Sequence, residues 1–167
     1  MAMSGIVKSH YLWALLCAIG YFGLMIPGAM GALGGAGGII ALWIALSIIG
    51  VAGMWVLVPK TPATNKVVYL WVAVCVIGLI INGLQFMKIL SIPGVNYGFV
   101  WLLITAIGFA GTGVLWAKGK EAYYAGAALN ALVLIGTFAA KDLVSPNMFA
   151  LLGIASVVPL VYAAIRN

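Results

Sequence analysis

Six apolar runs, each nearly free of charge, leave this chain few ways to fold. They cover roughly 11–29, 38–58, 67–88, 98–117, 122–140 and 148–165. A helix crosses the hydrocarbon core of a bilayer in about 20 apolar residues, so each run is a candidate span. The runs are continuously apolar rather than alternating, which favours spanning helices over barrel strands. Between them stand the expected breaks: Pro27 with the glycines from Gly28 to Gly38, Pro59 and Pro62, Pro93-Gly94, Lys118-Gly119-Lys120, and Ser145-Pro146. Fusing the first two runs would give one helix far longer than a bilayer is thick. Only 6% of the residues are charged, against about a quarter in a soluble domain, so water is excluded as the solvent of the whole surface. The first run is long and lacks a small-residue cleavage site, and is expected to stay as the first helix. The expectation is a single all-α transmembrane domain over 1–167.

The net charge of +6 is arranged, not scattered. In a six-helix topology Lys8, Lys60, Lys66, Lys118, Lys120 and Arg166 fall on one side, and Lys88 and Lys141 on the other. This is the positive-inside pattern; it predicts a multi-pass protein of the cell membrane with both termini cytoplasmic. The charge therefore reads as topology, with the lipid bilayer as partner, and not as a nucleic-acid surface.

The chain also repeats. Lys8–Lys60 lies over Lys66–Lys118 without a gap, and about 15 of about 53 aligned positions are identical. K-S-H-Y-L-W-A-L-L-C-A-I-G opens the first copy and K-V-V-Y-L-W-V-A-V-C-V-I-G the second; a more diverged third copy starts at Lys120. The repeats cover approximately 8–60, 66–118 and 120–166. Each is a helical hairpin of the same orientation, which predicts a bundle about a pseudo-threefold axis along the membrane normal. Small residues at Gly50/Gly53, Gly108/Gly111 and Gly153/Ser156 give the second helix of each hairpin a bare face for close packing. Tyr11, Tyr69 and Tyr123 hold equivalent positions and would form either an aromatic belt or a ring at one depth.

Catalytic chemistry is scarce. Glu121 and Asp142 are the only acids; both sit at predicted helix ends, beside Lys120 and Lys141 as local partners. Acid–base catalysis inside the bilayer has no evident players, so no enzyme, catalytic residue, metal or cofactor is expected. His10 alone cannot supply two axial haem ligands, and reads as an interfacial residue. Cys17 and Cys75 hold equivalent repeat positions without C-x-x-C spacing, and read as packing residues. The remaining intramembrane polar groups are Asn82, Gln85 and Asn130, which break the repeat, and Ser47 and Thr105, which match in it; Thr112 and Thr137 add hydroxyls. These bond helix to helix, or Asn82, Gln85, Asn130, Ser47 and Thr105 mark a sparse, neutral path for a small solute.

Three two-helix hairpins in a chain of this length, the K-G-K-E turn at Lys118–Glu121 and the closing G-I-A-S-V-V-P-L-V-Y-A run at Gly153–Ala163 resemble the urea/amide channels and, more closely, the acetate/succinate transporters. The resemblance implies a path through each protomer's own bundle and assembly into hexamers; no functional residue is carried over. Two readings follow. One is a channel or transporter for a small neutral or weakly acidic solute, acting as a homo-oligomer. The other is a non-catalytic membrane subunit bound to unlike membrane chains.

Overall fold

The computed structural model describes residues 4–90 and 97–167; the expected break at Pro93-Gly94 lies outside the described residues. Among these residues, eight helices and one 3-10 turn follow in order: α1 (Gly5–Gly23), α2 (Ala29–Ala32), α3 (Ala36–Leu57), α4 (Pro62–Phe86), α5 (Tyr97–Leu115), α6 (Lys120–Ala139), α7 (Lys141–Val144), the turn at Ser145–Asn147, and α8 (Met148–Arg166). No strand occurs among the described residues. Gly37–Leu57, Pro62–Phe86, Gly98–Leu115, Lys120–Ala139 and Lys141–Arg166 are long and apolar enough to cross a membrane. The first helix is equally formed but is not among these; its opening turns carry Lys8, Ser9 and His10.

Local chemistry fixes the helix ends. The Ser4 hydroxyl caps α1 by accepting from the Val7 N–H, so this helix begins six residues before the apolar run that announces it. Pro62 sits in the first turn of α4, behind a capping box in which Thr61 and Thr64 each accept from the other's backbone N–H. The loop from α1 to α3 is not featureless. Gly28, Gly34 and Gly35 take φ values of 82°, 75° and 77°, a left-handed backbone that side chains resist, and α2 is a single turn between them.

Each long helix packs on its neighbours in sequence, and α8 returns to α1, closing a ring. Directions are read from side-chain contacts. Trp13 meets Trp71 and His10 meets Tyr123, so α1, α4 and α6 start at the same end. That end carries Lys8, Lys60, Lys66, Lys118, Lys120 and Arg166. The ring is not regular. Besides their shared neighbour α6, α5 and α8 also touch each other.

Packing within the first two hairpins follows one scheme. In the first, Trp13 of α1 lies across Gly50 of α3, and Trp43 of α3 lies across Gly20 of α1. A Cβ at Gly50 would stand 2.6 Å from the Trp13 ring, and one at Gly20 2.5 Å from the Trp43 ring. In the second, Trp71 covers Gly108 and Trp101 covers Gly78, with a Cβ reaching 3.1 Å from the indole in both cases. Missing side chains are thus filled by indoles, the close approach that small residues permit in lipid. The third hairpin has no tryptophan. Its Gly126 faces Pro159 and Phe109, and its Gly153 receives Phe22 from α1.

The three equivalent tyrosines do not form a ring. Tyr11 and Tyr69 are exposed, whereas Tyr123 is buried; the outward place in α6 goes to Tyr124. Glu121 pairs not with adjacent Lys120 but with Arg166, at 3.8 Å between two exposed side chains.

Candidate functional site

A cavity of about 90 Å³ lies inside the ring, with lining residues from all six long helices. It reaches from Ile6, Val58 and Thr64 at the lysine-bearing end to Tyr21, Trp43 and Trp101 deep in the bundle. From Ile6 to Tyr21 the α1 axis advances about 22 Å.

The lining follows from helical spacing. His10, Trp13, Cys17 and Tyr21 succeed one another by three or four residues and form one stripe on α1. The same rule aligns Trp71 with Cys75 on α4, Trp43 with Ser47 on α3, and Trp101 with Thr105 and Phe109 on α5. Two aromatic tiers result. Nearer the lysine end, Trp13 and Trp71 have centroids 6.1 Å apart and Phe109 meets Trp71 edge-on at 5.5 Å. Deeper, Trp43 stands 4.6 Å from Tyr21 and 5.7 Å from Trp101. Ser47, Thr105 and the thiols of Cys17 and Cys75 come between the tiers by their positions along the helices.

Hydrogen bonding around the cavity is uneven. Trp71 Nε1 donates to Thr112 Oγ1 at 3.0 Å, and the Thr112 hydroxyl in turn donates a hydrogen bond to the Gly108 carbonyl at 2.8 Å. The first hairpin has Met54 where the second has Thr112, and no protein group accepts from Trp13 Nε1. Trp43 Nε1 also has no protein acceptor, although Trp43 is only 5% exposed. At the lysine end, His10 Nδ1 lies 2.7 Å from the Ile6 carbonyl, which can only accept. The neutral imidazole therefore carries its proton on Nδ1 and receives the Tyr123 hydroxyl on Nε2, also at 2.7 Å. Asn167 Nδ2 approaches the same hydroxyl at 3.4 Å, its Oδ1 accepts from Trp116 Nε1 at 2.9 Å, and its main-chain oxygen accepts from Lys118 Nζ. This network joins α1, α6 and α8 across the ring seam.

The five residues expected to mark a path are not brought together. Ser47 and Thr105 line the cavity. Asn82, Gln85 and Asn130 are not among its lining residues. Asn82 is buried, its Nδ2 donating to the Gly78 carbonyl of its own helix at 2.8 Å. Asn130 is fully buried and ties α6 to α8, donating to Gly126 at 2.9 Å and to Ala155 at 3.0 Å. Gln85 is half-buried near the far end of α4. Thr137 donates to the Leu134 carbonyl at 2.6 Å.

The tryptophans carry the site, and residue-by-residue reading of polarity passes over them. The available signal is their recurrence: Trp13 with Trp71 and Trp43 with Trp101 hold matching places in the repeat, each four residues before a matching Cys or Ser/Thr pair. Among the described residues no cluster of three or more His, Cys, Asp or Glu side chains could hold a metal ion. Among the described residues no Asp, Glu, Lys or Arg lines the cavity. Compared with family models, with curated proteins and with solved structures, the chain finds no match.

Proposed function

We propose that the protein is a six-span membrane channel or transporter of three like-oriented hairpins, and that its axial cavity is the path of a small neutral or weakly acidic solute. The cavity's position carries the reading: it sits inside a ring of apolar helices, is lined from all six long helices, and extends from the basic end through most of the ring's depth. The recurrence of the Trp–Gly contacts in the first two hairpins supports a bundle built from copies of one unit. In this reading α1 crosses the membrane despite its polar start, because Lys8 and His10 lie in its first two turns at the basic, cytoplasmic face. Protomers assemble as homo-oligomers, each with its own path.

Reconstitution tests this. Purified protein in liposomes should speed osmotic swelling by small uncharged solutes. Ser47→Leu and Thr105→Leu, which place bulk between the aromatic tiers, should each lower the rate about tenfold or more at unchanged oligomeric state. No flux from a folded protein, with co-purification of unlike membrane chains, would instead support the accessory-subunit reading.

A further inference from the structure

The two ends of the cavity differ. At the lysine end its lining is half-exposed, at Ile6, His10, Val58 and Trp116. At the other end it stops on three buried rings, Tyr21, Trp43 and Trp101, which are 2%, 5% and 5% exposed. Their centroids lie 4.6 Å apart from Tyr21 to Trp43 and 5.7 Å from Trp43 to Trp101. Rings at such separations touch and leave no room for a solute between them. The tier of Trp13 and Trp71 is no such stop, because the lining continues past it to Cys17, Cys75, Ser47 and Thr105. Among the described residues, the lining includes none of α1 beyond Tyr21, of α3 before Trp43 or of α5 before Trp101. From Ala36 to Trp43 the α3 axis advances about 10 Å, so the stop lies inside the bundle, short of its far end.

Two features mark this tier as a movable closure rather than fixed core. Trp43 Nε1 is buried and has no acceptor in the protein, and burying an unmet donor is unfavourable. A phenyl ring would fill an apolar space without that cost. The closed arrangement is therefore held less firmly than its packing alone would give, and an indole that swings toward water regains its bond. The second feature is the seat of the ring. A Cβ at Gly20 would stand 2.5 Å from the Trp43 indole, and that ring is what covers the bare backbone there. The indole can leave by rotating about its own side-chain bonds, without a shift of α1. Trp101 is less free, since Ile104 shares its seat at Gly78, 2.3 Å from where a Cβ would stand.

Building on the proposed solute path, we infer that Tyr21, Trp43 and Trp101 form a gate across it, shut toward the end opposite the lysines, with Trp43 as the moving leaf. A solute enters from the lysine end, passes the Trp13–Trp71 tier and halts among Ser47, Thr105 and the two cysteines. It crosses when the Trp43 ring leaves Gly20. Between openings the apolar tier excludes water, as hydrophobic constrictions do.

The test reads the thiol of Cys17, which lines the cavity on the lysine side of the gate and is only half-buried. Cys75→Ala removes the other cysteine. Silver ion is the probe: it is small, remains in water, and replaces the thiol proton to form a silver thiolate. It is added to membrane vesicles of either orientation, and thiols left free are counted by alkylation and mass spectrometry. In a parallel sample Lys66→Cys, at an exposed position of the lysine end, identifies the vesicles that present that end. Cys17 should react about tenfold faster, or more, from the lysine end than from the opposite end. Trp43→Leu should raise the opposite-end rate about tenfold and leave the lysine-end rate within about twofold. Trp43→Phe, the gentler change for folding, should act in the same direction by several-fold. Equal rates from the two ends with Trp43 in place would overturn the gate, as would no reaction from either end. An unchanged opposite-end rate in both Trp43 variants, with the helical spectrum intact, would overturn Trp43 as its leaf. Should neither variant fold, the sidedness with Trp43 in place decides alone. Liposome flux separates this from the transport reading. Sided access that depends on Trp43, without flux, would uphold the gate and remove the transporter; flux without sidedness would do the reverse.

Discussion

The first two helical hairpins and the third hold together by different means. In the first two, indoles fill the spaces left by glycines on the partner helix, Trp13 on Gly50 and Trp43 on Gly20, then Trp71 on Gly108 and Trp101 on Gly78. In the third, the notable link is polar: Asn130 bonds the Ala155 carbonyl across α6 and α8. The same division holds for the cavity. α1, α3, α4 and α5 supply most of its lining, while α6 and α8 add only Tyr123, Ser156 and Leu160. Four helices thus form most of the cavity wall, and two close it. The third hairpin has no tryptophan, and in the first two the rings that pack on glycine also line the cavity.

Breaking a lock should have the largest effect. Gly50→Leu puts a branched side chain where even a Cβ would lie 2.6 Å from the Trp13 ring. We expect a loss of about 3 kcal/mol or more, the upper range for overpacking, seen as collapse of the monodisperse peak in detergent chromatography. Gly108→Leu should be milder, because its Cβ begins 3.1 Å from Trp71. Equal tolerance of both substitutions would remove the indole–glycine locks as the basis of the comparison.

The seam of the third hairpin comes next. Tyr123→Phe deletes the hydroxyl that His10 Nε2 accepts, and leaves a half-buried imidazole nitrogen unmet at a cost of about 1–2 kcal/mol. Its repeat equivalent Tyr69 is 59% exposed, and Tyr69→Phe should leave the melting temperature unchanged. A thermal melt of the two variants side by side checks the claim that one tyrosine position has two roles. Identical melts would mean that the seam bond contributes nothing.

What could be read from the sequence follows from where the constraint is one-dimensional. Approximate helix extent is set by the lengths of apolar runs, and five of the six runs recur as helices long and apolar enough to cross a membrane. The start of α1 was obscured because Ser4 decides it and the polar turn at Lys8–His10 masks the run. Emphasis on residues that break the repeat led to Asn82, Gln85 and Asn130, which do not line the cavity, whereas the residues that line it in pairs obey the repeat. The physical reason is geometric. The first two hairpins present matching positions to the cavity, Trp13 with Trp71 and Trp43 with Trp101, so their inward face recurs. Polarity is a poor guide to that face when most of it is indole.

The two asparagines make the finest distinction. Both are buried, and both donate to a glycine carbonyl one turn back in their own helix. Only Asn130 also reaches another helix. A bond within one helix competes with the intact backbone and adds little to assembly, whereas side-chain bonds between membrane helices contribute about 0.6 kcal/mol on average and up to about 1.7. Asn130→Leu should therefore lower stability by about 1 kcal/mol, and Asn82→Leu by no more than a few tenths, in reversible unfolding with denaturing detergent. Neither should change flux per folded molecule, because neither side chain lines the cavity. If Asn82→Leu proved the more damaging, the unpartnered Asn82 Oδ1 would need a partner outside this chain, and the second hairpin, not the third, would hold the polar contact that matters for assembly.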